Sequence, residues 1–301
     1  MSGWRAALVA AVVGGLILGV GAFVTREQPG PPGTATSIDE SGASLTCAPA
    51  IEPVCRTLAG QLGVPYSAEP VEQGVLIVAD GATVVGFDEV ATLSSTPVVI
   101  GVWTERASVL SARGCEGELD LDCLLGHLGT RWDAIGGRAE WGEIRLGMAN
   151  PAAGPAELAA WRVVAHPEIA PELTAGLRLR ATDEADLLDT LALRGPAATD
   201  AVIATEAALV ARWDSLLLKR RISFVYPDPG PFIDYVVLAS GRKGRELADR
   251  LLSPDLSAVL GSLGVRPASG AAPSLHEAMG EPGGRLPELT PAEQEALEKT
   301  W

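Results

Sequence analysis

Apolar residues fall into runs whose period changes from one segment to the next. Gly74 to Ala79 (GVLIVA), Pro97 to Trp103 (PVVIGVW), Ile144 to Ala149 and Asp200 to Thr205 (DAVIAT) are short and nearly all apolar. All four read as strands, and Pro97 to Trp103 has the pattern of a buried one. Thr83 to Phe87, Ile222 to Tyr226 and Tyr235 to Ala239 read as further strands. Between them the spacing predicts helices over Ile51–Leu62, Thr104–Ser111, Leu124–Ile135, Ala156–Trp161, Glu184–Arg194, Glu206–Leu218, Arg242–Leu252 and Pro254–Leu263. Strands alternating with helices at this spacing indicate an α/β architecture with a parallel or mixed sheet. Residues 25 to 44 are rich in Pro, Gly, Ser and Thr and read as a flexible tether. Beyond Ser269 the chain is again Pro- and Gly-rich, with one short helix expected from Pro291 to Lys299.

The N-terminus sets the compartment. Arg5 precedes an unbroken apolar stretch, Ala6 to Val24, and Thr25-Arg26-Glu27 follows it. Its length is close to the ~20 residues a helix needs to cross a bilayer. An uncleaved anchor fits this length; Gly19-Val20-Gly21 leaves a cleaved secretory signal as the alternative. Both readings place the body outside the cytoplasm. The four cysteines agree, forming two local pairs, Cys47 with Cys55 and Cys115 with Cys123. An even count fits disulfides in an oxidising compartment, and short loops close most easily. The wide spacing and the lack of C-x-x-C argue against zinc, and no metal site is expected.

The formal net charge of −15 argues against a nucleic-acid partner, which needs a basic face. The one basic run, Lys219-Arg220-Arg221, closes a predicted helix, where cations complement the dipole. Catalytic signatures are missing. The three histidines, His127, His166 and His276, have no ligand spacing, and there is neither a G-x-S-x-G elbow nor a phosphate-binding Gly loop. The acidic run 116–122 (EGELDLD) lacks the central Gly and closing Glu of an EF-hand. No enzyme activity and no cofactor are expected.

The most informative blocks lie in the second half. "TDAVIATEAAL" (199–209) is a strand ending in Thr205-Glu206 at a helix start, and 222–270 follows with Tyr226-Pro227, Gly230, Tyr235, Leu251-Leu252-Ser253-Pro254 and Gly264-Val265-Arg266-Pro267. Together with "TPVVIGVWTE" (96–105) and "IRLGMANPAAGPAEL" (144–158), this order resembles the type II extracellular (periplasmic) solute-binding proteins over roughly residues 45 to 270. It is most similar to the membrane-anchored actinobacterial substrate-binding domains often fused to a von Willebrand factor A-type domain. The chain stops at Trp301, so the resemblance implies a version without that domain.

The resemblance implies a bilobal α/β fold with two crossing strands, preceded by an N-terminal transmembrane helix. Its parts would be an anchor or signal (1–27), a linker (28–44), lobe one (45–102 and 224–270), lobe two (103–223) and a tail (271–301). It implies a membrane-anchored, extracytoplasmic protein that closes on a small ligand of unknown identity, for a permease or sensor. The alternative is a degenerate binding fold that serves as a non-catalytic interaction or assembly module at the envelope. Ligand contacts are expected from loops that follow strands: Thr104, Asn150, Ala153, Thr205, Glu206 and Tyr226. The sequence departs from oxyanion-binding relatives at Ala48-Pro49-Ala50 and Pro151-Ala152-Ala153, where Ser or Thr is usual. Two lost hydrogen bonds at ~1.5–3 kcal/mol each would weaken anion binding about a hundredfold or more. Glu105 and Glu206 facing a cleft would repel an anion as well. The 146–161 loop therefore stands open between a ligand contact and a structural turn.

Overall fold

The computed structural model describes residues 42–80, 84–115, 119–164, 176–212, 222–268 and 282–287, with single positions 173, 290, 292 and 295. The apolar run 6–24, the tether as far as 41, the basic run 219–221, His166, Trp213, His276 and Trp301 lie outside these residues, as do all but two positions of the helix expected over 291–299. Among the described residues no helix is long and apolar enough to cross a membrane.

In chain order the strands are β1 (Leu45–Cys47), β2 (Val75–Ala79), β3 (Asp88–Trp103), β4 (Leu146–Ala149), β5 (Leu177–Ala181), β6 (Ala201–Thr205), β7 (Ile222–Val225) and β8 (Phe232–Ala239). The helices are α1 (Glu52–Leu62), α2 (Thr104–Val109), α3 (Leu121–Gly126), α4 (Pro155–Arg162), α5 (Glu184–Arg194), α6 (Glu206–Ala211), α7 (Gly241–Leu251) and α8 (Pro254–Ser262).

The long strand β3 organises the rest, because it belongs to two ladders. Asp88–Pro97 pairs antiparallel with β8, which continues through β2 to β1. From Val98 onward β3 leaves β8 and pairs antiparallel with β6, which continues through β4 to β5 in parallel. Pro97 stands at the switch. It has no N–H to give either ladder, and the next N–H, that of Val98, turns to Pro231 O at 2.9 Å. β7 lies against the far end of β3, with Ile100 opposite Val225. The chain therefore passes between the ladders twice, along β3 and through the 226–231 connection between β7 and β8.

Each ladder buries its apolar positions under helices. Leu45, Val75, Ile77 and Val237 pack with Leu58, Leu62, Leu247 and Leu251 from α1 and α7. Val99, Val202 and Ala204 pack with Leu187, Leu188 and Leu191 of α5 and Leu209 of α6. Three local expectations change. Residues 84–87 form a turn instead of a strand, closed by Phe87 N–H to Val84 O at 3.3 Å, with Gly86 at φ 86°. The single helix expected over Leu124–Ile135 divides into α3 and a 3-10 turn at Trp132–Ile135, separated at Gly129, whose φ is 75°. α6 ends at Ala211, with Arg212 as its C-cap.

Both cysteine pairs are disulfides, Cys47–Cys55 and Cys115–Cys123, and no described cysteine is free. The second ties the end of a π-helical turn (Leu110–Gly114) to α3, whose N-cap Asp120 accepts from Cys123 N at 2.8 Å. The loop it closes is short, so Cys115→Ser/Cys123→Ser should lose about 2–3 kcal/mol in urea unfolding, by the chain-entropy relation.

The end of β6 that precedes Ala201 is closed by a buried ionic network. Asp200, 1% exposed, accepts from Arg106 Nε at 3.1 Å and from Arg145 N and Nε at 3.0 and 3.2 Å. The Arg106 guanidinium stacks on Trp141 at 3.5 Å, and Trp141 meets Trp132 edge-on. Trp103 Nε1 donates to Thr199 O at 2.8 Å. The hydrogen bonds of Asp200 with Arg106 and Arg145 fix the base of the second ladder.

Candidate functional site

The opposite end of β6 collects the polar groups of interest. β6 stops at Thr205 because its side chain turns back to cap α6, accepting from Ala208 N at 3.4 Å. The Thr205 N–H and hydroxyl both donate to Glu184, the latter at 3.0 Å. Glu184 opens α5, immediately after the N-cap Asp183, and its own N–H donates to Glu157 Oε1 at 3.0 Å. Glu184 is 2% exposed. Burial pushes its carboxyl up to about 8; the two Thr205 donors oppose that rise and the Glu157 charge adds to it.

From the first ladder, Tyr235 of β8 reaches the same place. It is 1% exposed, and its hydroxyl faces Thr205 beside Glu184 without making a hydrogen bond of acceptable geometry. Burial and the Glu184 charge raise its pKa. Tyr235 also borders a void of about 10 Å³ lined by Ile51, Leu58, Ile77, Leu93, Ser94 and Leu260, room for a single water at most.

Beside this group lies a second one. Glu206, the first residue of α6, is fully buried. Arg266 grips it with two bonds, Nε to Oε1 at 2.7 Å and Nη2 to Oε2 at 2.9 Å, and the Tyr226 hydroxyl donates to the same Oε2. Burial works against the Arg266 charge, but the Glu206 carboxylate outweighs it and raises the guanidinium pKa. Arg266 O accepts from Ser95 N at 3.2 Å, and Thr96 Oγ1 accepts from Ala207 N at 2.9 Å. Both passages of the chain between the ladders thus meet at Glu206. Nearby, Arg212 donates to Ala50 O at 2.6 Å and to Asp189 at 2.7 Å, while Ala50 packs in the Leu187–Leu188–Leu191–Leu209 cluster.

The structure brings Thr205, Glu206 and Tyr226 together. Asn150 follows β4, whose register with β6 (Leu146 to Ala201, Gly147 to Val202) sets it level with Thr205. Its side chain is engaged locally, accepting from Ala152 N at 3.0 Å, and Ala153 beside it is exposed. Thr104 is elsewhere. β3 runs antiparallel to β6, with Val98 opposite Thr205 and Val102 opposite Ala201, so the residue after Trp103 emerges at the Asp200 end. There Thr104 accepts from Ser223 Oγ at 3.2 Å. Glu105 goes with it, ion-paired to Arg106 at 3.0 Å. Glu206 is also corrected as a source of repulsion, since Arg266 neutralises it. Glu184, Tyr235 and Arg266 were not expected as site residues, although Tyr235 and Arg266 belong to the quoted motifs.

Neither a family model nor a curated protein matches the chain. Solved structures do. A periplasmic thiamin-binding protein superposes with a TM-score of 0.54 at 14% identity, over 86% of this chain and 94% of that one. The fold is similar to that of this binding protein. Weaker likenesses are to L-phospholactate-bound PEB3 (TM-score 0.49, 9% identity, 74% of this chain and 98% of that one) and to the sulfate-binding protein SubI of Mycobacterium tuberculosis H37Rv (0.43, 14%, 75% and 86%). The Glu184–Thr205–Tyr235 and Glu206–Arg266–Tyr226 groups lie beside β3, the strand shared by the two ladders.

Proposed function

We propose that the protein is an extracytoplasmic solute-binding protein that closes two lobes on a small ligand, without chemistry on it. The observation that carries this reading is the meeting of Thr205 and Glu184 from one ladder with Tyr235 from the other, at the carboxyl ends of β4, β5 and β6. In this reading 45–102 with 224–270 is one lobe and 103–223 the other. The 6–24 segment anchors the body to the membrane, and a permease or sensor receives the ligand. The fold likeness to a thiamin-binding protein and the two disulfides support an extracytoplasmic small-molecule role. A thermal-shift panel of amino acids, sugars, amines, thiamin and oxyanions tests it. A true ligand at a hundred times its dissociation constant should add about 2.7 kcal/mol. No shift from any of them overturns the proposal.

One observation favours a second reading, an interaction module at the envelope. The facing surfaces of the two halves are already engaged, by Arg266 on Glu206, Arg212 on Ala50 O, and Ala50 in an apolar cluster. On this reading a membrane or cell-wall partner co-purifies with the full chain, Thr205→Ala leaves that association intact, and the ligand panel stays silent.

A further inference from the structure

Among the described residues, the Glu184–Thr205–Tyr235 site combines two carboxyls that make no ion pair with a buried hydroxyl that makes no hydrogen bond. Glu184 makes no ion pair among the described residues, and Glu157 stands beside it, bonded to the Glu184 N–H at 3.0 Å. The guanidinium that acts on Glu184 from the end of α6, Arg212, is engaged by Asp189 and Ala50 O. An ionised carboxylate offers about four lone-pair positions, and Thr205 fills two on Glu184. The Tyr235 hydroxyl is buried from the opposite ladder and has no hydrogen-bond partner among the described residues.

We propose that this site takes a small organic cation, an ammonium or guanidinium group held by the carboxyl oxygens of Glu184 and the hydroxyl oxygen of Tyr235. The proposal rests on the solute-binding reading above and names the ligand class for it. A cationic head brings donors only, which is what two carboxyls and a free hydroxyl oxygen accept. An oxyanion brings acceptors only and would meet the same carboxyls without the Ser or Thr donors that 48–50 and 151–153 lack. A buried carboxylate needs a counter-charge, and a cation arriving at Glu184 takes the place of its proton. The net charge of −15 draws cations toward the protein before contact. The lobes must part to admit the group, because Glu184, Thr205 and Tyr235 are all buried.

Titration calorimetry on the full chain tests this, with choline, putrescine and agmatine against sulfate, phosphate and glucose. At least one amine should bind, with a heat that depends on the buffer's ionisation enthalpy because a proton leaves. Glu184→Gln should weaken that binding at least tenfold. Tyr235→Phe, which removes one oxygen, should weaken it about tenfold and serves if Glu184→Gln fails to fold. Binding of sulfate, phosphate or glucose with none of the amines overturns the cation assignment and leaves the solute-binding reading standing. Amine binding unchanged in both variants overturns the site. Silence from all six probes overturns the cation assignment, and the solute-binding reading falls with it only if the wider thermal-shift panel is silent too.

Discussion

Arg266→Met is expected to destabilise the protein by about 3–5 kcal/mol, the usual cost of removing one partner from a buried ion pair. Glu206 is fully buried, and without Arg266 its carboxylate keeps, among the described residues, only the Tyr226 hydroxyl and no counter-charge. The Glu206→Met/Arg266→Met double variant should recover at least half of that loss. Replacing both members of a buried pair with apolar groups of similar volume removes the desolvation penalty along with the attraction. Arg266→Lys keeps the charge and loses the two-pronged grip, so an intermediate cost of about 1–2 kcal/mol is expected. Urea midpoints at constant slope measure all three. A single variant as stable as the wild type would mean that Glu206 is not dependent on Arg266. The consequence reaches beyond stability, because Ser95 and Thr96 of β3 bond to Arg266 O and to the α6 N–H beside Glu206. Loosening the pair should also make β3, the strand shared by both ladders, exchange its amide protons faster.

Much of this arrangement could be read in the chain, and the gaps have physical causes. The second half of β3 was visible because Pro97–Trp103 is buried on both faces. The first half, Asp88–Thr96, was not: Asp88, Glu89 and Thr92 face outward together with the apolar Val90, and irregularities between Glu89 and Ala91 and between Thr92 and Ser94 break the two-residue period. β5 alternates Leu and Arg but is only five residues long. Thr104 was misplaced because periodicity does not encode strand direction; the same residues would reach the site if β3 ran parallel to β6. Thr205 was legible as a cap between a strand and a helix. Glu184 reads as an ordinary acid in a first helical turn, and its burial follows from β6 alongside, 21 residues later. Arg266 meets its partner across 60 residues of chain, a pairing that no local pattern announces.

Glu184 should make the protein's stability fall as pH rises through neutrality. In the unfolded chain its carboxyl titrates at its ordinary value of 4.5, whereas in the folded protein it keeps its proton up to about 8. Between these values the unfolded state binds fewer protons, so raising the pH favours unfolding. The penalty is absent below 4.5 and complete above 8. At about 1.4 kcal/mol per tenfold difference in proton affinity, the window corresponds to about 5 kcal/mol. The groups around the carboxyl are Glu157 from α4, the Thr205 donors from β6, Arg212 beyond α6 and Tyr235 from β8. Burial outweighs the help from Thr205 and Arg212, which is why the shift is upward. Glu184→Gln removes the ionisation but keeps the shape. Its amide oxygen can accept from Thr205 N–H, and its NH₂ can donate to the Thr205 hydroxyl. The difference in unfolding free energy between wild type and variant, followed from pH 4.5 to 8.5, should therefore move by about 5 kcal/mol in the variant's favour. A flat difference would show that Glu184 ionises freely in the folded protein. A movement of the opposite sign would show that a cationic group neutralises it there.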